Sequence, residues 1–227
     1  MKKLFAMVAV FTMALPCAFV YAAEPNLSET DDSIVPYHVY TITSQNGRSA
    51  ETELKGDELI EYMNEQGQIP GSRFLVGNKK YEVTENYELR YLGVDETVDI
   101  DTAMDFARGT SIPKKAGTLP NSGTYKMSNY IYSNNYFNVG TAGSETAGIY
   151  PSIGVTISAD QEQDIMVSWM DGRNNESMGN KTYYFNRPNE VTKYDWVYPG
   201  QNFYFKFTNK TSSKTISGSY NIYVDQY

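Results

Sequence analysis

The sequence predicts a mainly β protein: a small α+β N-terminal region followed by a C-terminal antiparallel β-sandwich, immunoglobulin-like or jelly-roll. Three observations carry this. Short alternating apolar/polar runs recur through the second half at roughly ten-residue spacing, separated by Gly, Asn, Asp and Pro. Aromatics, which suit a pleated surface, concentrate there: residues 121–227 hold 13 Tyr, 5 Phe and 2 Trp. Helical spacing is confined to two short stretches of the first half.

In chain order, residues 1–22 have the make-up of an export signal. Met1-Lys2-Lys3 is basic, Leu4 to Val20 is nearly all apolar, and Val20-Tyr21-Ala22 suits cleavage after Ala22. The expectation is a secreted bacterial protein with no stable membrane span after cleavage. Cys17, the single cysteine, leaves with that segment. Pro16 before it argues against lipidation, which needs a small residue there. The mature chain then relies on apolar burial without disulfides.

Residues 23–109 form an acidic α+β region. Tyr37 to Ser44 alternates, Asn46-Gly47 is a strong hairpin signal, and Arg48 to Leu54 returns. Asp57 is placed to cap a helix through Gln66, with Leu59, Ile60 and Met63 on its apolar stripe and Gly67 ending it. A second hairpin runs from Arg73 to Val76, turns at Gly77-Asn78, and continues as one long strand from Lys79 to Leu92. Ile100 to Arg108 has the spacing of a last short helix.

Residues 110–122, with two Pro and a Gly but no apolar period, read as a linker. Within it Leu119-Pro-Asn-Ser-Gly123 has the outline of a cell-wall sorting signal. About a hundred polar residues follow instead of an apolar stretch and basic tail, so the linker reading stands. Residues 24–120 carry 18 acidic and 9 basic side chains, whereas 121–227 carry 9 and 8. The shift in charge places a domain boundary at this linker.

Residues 123–227 form the aromatic-rich sandwich domain. Ile153-Val155-Ile157, Ile165-Val167-Trp169, Phe203-Phe205-Phe207 and Tyr220-Ile222-Val224 each mark one face of a strand. Gly154, Thr156 and Ser158 mark the opposite face of the first, and such alternation predicts sheets with one wet face. This half resembles, in general style, small exported β-sandwich modules of Gram-positive bacteria, without a diagnostic motif.

Composition removes much catalytic chemistry. One Cys and one His cannot build a cysteine zinc site or the multi-imidazole centres of most zinc enzymes. His38 is the only imidazole, and no Gly-x-Ser-x-Gly elbow accompanies it. It reads as a strand histidine with a local hydrogen bond. A net charge of -8 argues against nucleic acid, which needs a basic face. No cofactor is expected. Calcium is the ion that the oxygen-rich stretches Asp95-Glu96-Asp99-Asp101-Asp105 and Asp171 to Glu176 would suit, although neither has EF-hand spacing. The four Asn-x-Ser/Thr sequons read as chance in an Asn-rich chain.

What remains is the aromatic set. The sandwich carries more aromatics than a small core can bury, and exposed Tyr and Trp offer an apolar body with a polar tip. Tyr130, Tyr132, Tyr136, Tyr194, Trp196, Tyr198, Tyr204 and Tyr223 are the candidate ligand-binding residues. The function expected is a secreted, non-enzymatic protein whose sandwich binds a surface glycan or a cell-surface protein. The alternative is a small glycoside-processing enzyme using two facing carboxylates. A third reading makes the acidic half a pro-segment or inhibitor.

Overall fold

Alternation at period two is converted into strands wherever a second layer covers one face, and here most strands find such a layer. In the computed structural model, residues 34–45, 48–98, 110–138, 152–197 and 202–225 are described. The strands are β1 (Ile34–Val35), β2 (Tyr37–Gln45), β3 (Arg48–Glu53), β4 (Arg73–Val76), β5 (Lys79–Val83), β6 (Leu89–Val94), β7 (Asn121–Met127), β8 (Tyr130–Tyr132), β9 (Ser152–Ala159), β10 (Gln163–Asp171), β11 (Ser177–Phe185), β12 (Val191–Val197), β13 (Phe203–Asn209) and β14 (Ile216–Asp225). The helix α1 spans Asp57–Glu65. The protein is a mainly β sandwich, as its alternation predicts. The signal segment, the Asn46-Gly47 turn and the stretch read as a helix at 100–108 lie outside the described residues.

Three sheets are present among the described residues. A central sheet runs β3-β2-β12-β9-β14-β7, a second runs β11-β10-β13-β8, and a small one runs β1-β6-β5-β4. Pairing is antiparallel except between β2 and β12. The hairpin β2–β3 of the acidic half therefore extends the sheet built by the aromatic half. The change of composition at residues 110–122 does not coincide with a break in structure: Asp31 to Tyr227 form one compact unit.

The main core lies between the central and second sheets. The four predicted runs supply it: Ile153, Val155, Ile157, Ile165, Val167, Trp169, Phe203, Phe205, Phe207, Tyr220 and Ile222 are all buried, and Val224 packs on their edge. Trp169 and Trp196 meet at 5.3 Å in an edge-to-face arrangement, and Tyr183 stacks on Tyr194 at 5.1 Å. Such geometries add about 0.5–1.5 kcal/mol beyond burial.

The expected wet face of β9 is not wet. All eight residues of β9 are buried. The small sheet and α1 cover the side bearing Ser152, Gly154, Thr156 and Ser158, with a second core of Val35, Met63, Val76, Tyr81, Val83, Leu89 and Val191. The contact is largely polar, which is why its sequence looks like a solvent face. Lys79 Nζ donates to Ala159 O at 3.0 Å and pairs with Asp160 at 2.6 Å. Tyr81 bonds Ser158, and Asn221 bridges Gly77 N (2.7 Å) and Leu75 O (2.6 Å). Gly77 has φ 60°, as the first turn position demands, and a Cβ there would fall 2.6 Å from that of Ser219.

Two local expectations are corrected. The run from Lys79 to Leu92 is two strands, because Thr84 folds the chain back. Its Oγ1 accepts from Asn86 N (3.3 Å) and Glu88 N (3.1 Å), and Tyr87 takes φ 59°. The helix is capped at Gly56 without a side-chain bond, and Asp57 sits in the first turn. There its charge favours the positive end of the helix dipole.

On the covered face of the central sheet, Asp195 is buried beneath α1. It accepts from Tyr62 Oη, and Tyr223 Oη stands 3.5 Å away. Burial, and next the Asp195 carboxylate, push the Tyr62 phenol far above its ordinary value, so it remains a donor. Lys193 Nζ bonds Gln66 Oε1 at 3.2 Å and lies 4.4 Å over the Tyr62 ring. Gly154 is paired with both Asp195 and Tyr223, and a Cβ on it would come 2.0 Å from the Tyr223 ring. Tyr223 therefore crosses bare backbone to reach the carboxylate. Gly154→Ala is expected to dislodge Tyr223 and to cost about 1–3 kcal/mol in chemical denaturation; an unchanged midpoint would refute this packing.

His38 ties β2 to the loop before β12. Its Nδ1 lies 3.2 Å from Glu53 and its Nε2 3.3 Å from Glu190. Chiefly the Glu190 bond raises its pKa above 6.5. Lys55, and then His38, lower the Glu53 carboxyl. A raised folded pKa means that the His38 contribution is full below the unfolded value and is lost as pH rises through the folded one. The Glu53 contribution is lost at the acid end, as pH falls through its lowered value. The thermal midpoint is expected to fall as pH rises from about 6 to 8, and His38→Gln to flatten that slope; equal slopes would count against the ion pairs.

Candidate functional site

The candidate surface follows from the phase of β13. Phe203, Phe205 and Phe207 face the core, so Tyr204, Lys206 and Thr208 take the outer face of the second sheet. Register then sets Lys206 between Tyr132 on β8 and Ser168 on β10, and Thr208 between Tyr130 and Met166. Tyr204 lies opposite Met170.

Three candidate tyrosines meet there. Tyr130 and Tyr132 touch edge to face at 5.7 Å, and Tyr132 meets Tyr204 in the same way at 5.6 Å. Tyr204 is 1 % exposed, and its hydroxyl donates to Asn175 Oδ1 at 3.0 Å. It is the floor of the cluster. Tyr130 and Tyr132 are half-buried. Lys206 Nζ stands 4.5 Å from the Tyr130 ring centre and 5.8 Å from that of Tyr132. Desolvation raises the Tyr132 and Tyr204 phenols, keeping both neutral at physiological pH. The arrangement can stack on a flat apolar face and offer one cation and several hydroxyls. It offers no nucleophile-base pair.

The other candidates go elsewhere. Tyr194 and Trp196 are corrected to core residues: both are 0 % exposed, on the face of β12 turned toward the second sheet. The signal was legible in Lys193-Tyr194-Asp195-Trp196, where charges alternate with aromatics and the aromatics take the inside. Tyr223 lies under α1, and Tyr136 forms a parallel bridge with Ala116. Tyr198 lies outside the described residues. Lys206 was absent from the candidates, although its place between Phe205 and Phe207 points it outward.

Asp95 accepts from Thr97 N (2.9 Å) and Oγ1 (2.6 Å), which holds its carboxyl below the usual range, while Asp99, Asp101 and Asp105 lie outside the described residues. Asp171 is engaged by Arg173, with Nη2 at 2.7 Å. Among the described residues no group of three His, Cys, Asp or Glu could hold a metal, and no helix is long and apolar enough to cross a membrane. A cleft of about 350 Å³ beside β1 is lined by Val35, Tyr37, Leu59 and Tyr87, with Glu88 and Arg187 as its charged members. A carboxylate pair is not present in it.

No protein-family model matches the chain, and comparison with curated proteins gives no match. Among solved structures, the chain is similar to a recombinantly expressed latent aurone synthase (polyphenol oxidase), with a TM-score of 0.32 and 7 % identity over 74 % of this chain. The chain spans 42 % of that structure's length. A likeness of that size carries no argument about fold or activity.

The division between core and surface aromatics has a direct check. Trp196→Ala is expected to cost about 3–5 kcal/mol. Tyr132→Ala is expected to cost no more than about 1 kcal/mol, the scale of one cross-strand pair. Urea denaturation of the two variants measures both, and equal losses would contradict the assignment.

Proposed function

We propose that this is a secreted, non-enzymatic binding protein whose outer sheet face recognises a glycan or protein on a surface. The observation that carries the reading is the contact of Tyr130, Tyr132 and Tyr204 in one cluster beside Lys206. Tyr and Trp dominate recognition surfaces because they bring large contact area with few rotatable bonds. The buried Tyr204 and its Asn175 bond hold the floor, so Tyr132 is positioned before any partner arrives. Export rests on the basic, apolar and small-residue order of residues 1–22.

The test uses the full mature chain, from Ala23 to Tyr227. Glycan arrays and envelope-protein pull-downs with wild type and Tyr132→Ala are expected to show a common partner whose affinity drops about tenfold or more in the variant, roughly 1.4 kcal/mol. Absence of any partner for the folded wild type, or an unaffected variant, would sink the reading. N-terminal sequencing of protein from culture medium is expected to begin at Ala23.

A further inference from the structure

We infer that the tyrosine cluster takes an acidic sugar, a pyranose bearing a carboxylate, which deepens the glycan branch of the proposed function and rests on it. The inference comes from Lys206. Its backbone is pinned by Phe205 and Phe207, both 0 % exposed, so its stem has one direction to take. The ammonium ends in the notch between Tyr130 and Tyr132, whose rings are inclined at 70°.

A cation over a ring is attracted by the ring's quadrupole, but its charge is not cancelled. Lys55, Lys79, Lys80 and Lys181 each have a carboxylate within 4.0 Å. Lys206 has none among the described residues. Lys114, Lys115, Lys126, Lys210 and Lys214 also lack one among the described residues, but all five are exposed. Lys206 is half-buried, and its neighbours, Ser168 and Tyr132 across the strands and Tyr204 and Thr208 along its own, are neutral side chains. A protein of net charge -8 thus keeps a half-buried lysine with no carboxylate within 4.0 Å among the described residues, at the mouth of its aromatic cluster.

A neutral pyranose stacked on Tyr132 would dehydrate the ammonium further and return no charge. A pyranose carboxylate would form a charge-assisted bond to it while its C–H face rests on the tyrosine, so one contact supplies area and the other supplies choice. Arg at this position would keep the charge but spread it over a planar fork.

The experiment titrates the full mature chain with hexagalacturonate, with its fully methyl-esterified counterpart, and with 3′-sialyllactose in an isothermal calorimeter. Wild type, Lys206→Met and Lys206→Arg are compared after equal thermal midpoints are verified. Methionine keeps an unbranched apolar stem over the rings and removes only the charge. The expected result is at least tenfold tighter binding of a free-acid sugar than of the ester. Lys206→Met is expected to erase that difference and Lys206→Arg to retain most of it. Preference for galacturonate or for sialyllactose decides which carboxylate sugar is meant. Equal binding of acid and ester, unmoved by Lys206→Met, would overturn the inference and leave glycan binding standing. No binding of any of the three sugars, alongside neutral glycans captured on arrays, would overturn it as well. No binding of any glycan by the folded protein would remove both readings.

Discussion

Residues 191–196 of strand β12 have no solvent face, and the rest of the molecule is arranged around that condition. On one side Tyr194 and Trp196 complete the aromatic core of the sandwich. On the other, Lys193 and Asp195 are each only 3 % exposed. A buried charge left without partners costs several kcal/mol, so the chain must bring polar groups to this spot. It does so with α1, whose Tyr62 donates to Asp195, with Gln66 just past the helix end, which receives Lys193, and with Tyr223, which crosses Gly154 from β14. The covering layer is thereby built into the stability of the sandwich.

The same condition explains the two unlike interfaces of the central sheet. The side toward the second sheet is almost wholly aromatic and aliphatic, and large side chains set its thickness. The side toward the small sheet uses Ser, Gly and Thr on β9, answered by Lys79, Tyr81 and Asn221. Small residues let backbone and side chains of the covering layer approach closely, and Lys79, Tyr81 and Asn221 each find a polar partner across the contact. The parallel pairing of β2 with β12 and the His38 bridge to Glu190 close the edge where the first half joins.

With β9 and residues 191–196 of β12 enclosed, the outer face of the second sheet offers half-buried tyrosines on a rigid support. The core positions of β13 fix the outward positions between them, and β8 adds two tyrosines at the right register. Binding surfaces work best when their geometry exists beforehand, and here each ring leans on another ring or on a bond below it.

Period-two alternation alone determined which residues of β9, β10, β13 and β14 share a face, because side chains of a strand must point alternately to its two sides. Turn chemistry likewise determined the antiparallel pairing of β2 with β3, the hairpin at residues 77–78 and the glycine that ends α1. Alternation cannot say whether the second face meets water or protein. That depends on a layer supplied from distant residues, so β9 was misread as half-wet and Tyr194 and Trp196 as exposed. The break between β5 and β6 escaped for a related reason: Thr84 folds the chain through side-chain bonds that leave the apolar rhythm intact. The tertiary structure decided that Tyr130, Tyr132 and Tyr204 meet on the outer face, and that Lys206 stands beside them, because register between strands far apart in the chain brings them together.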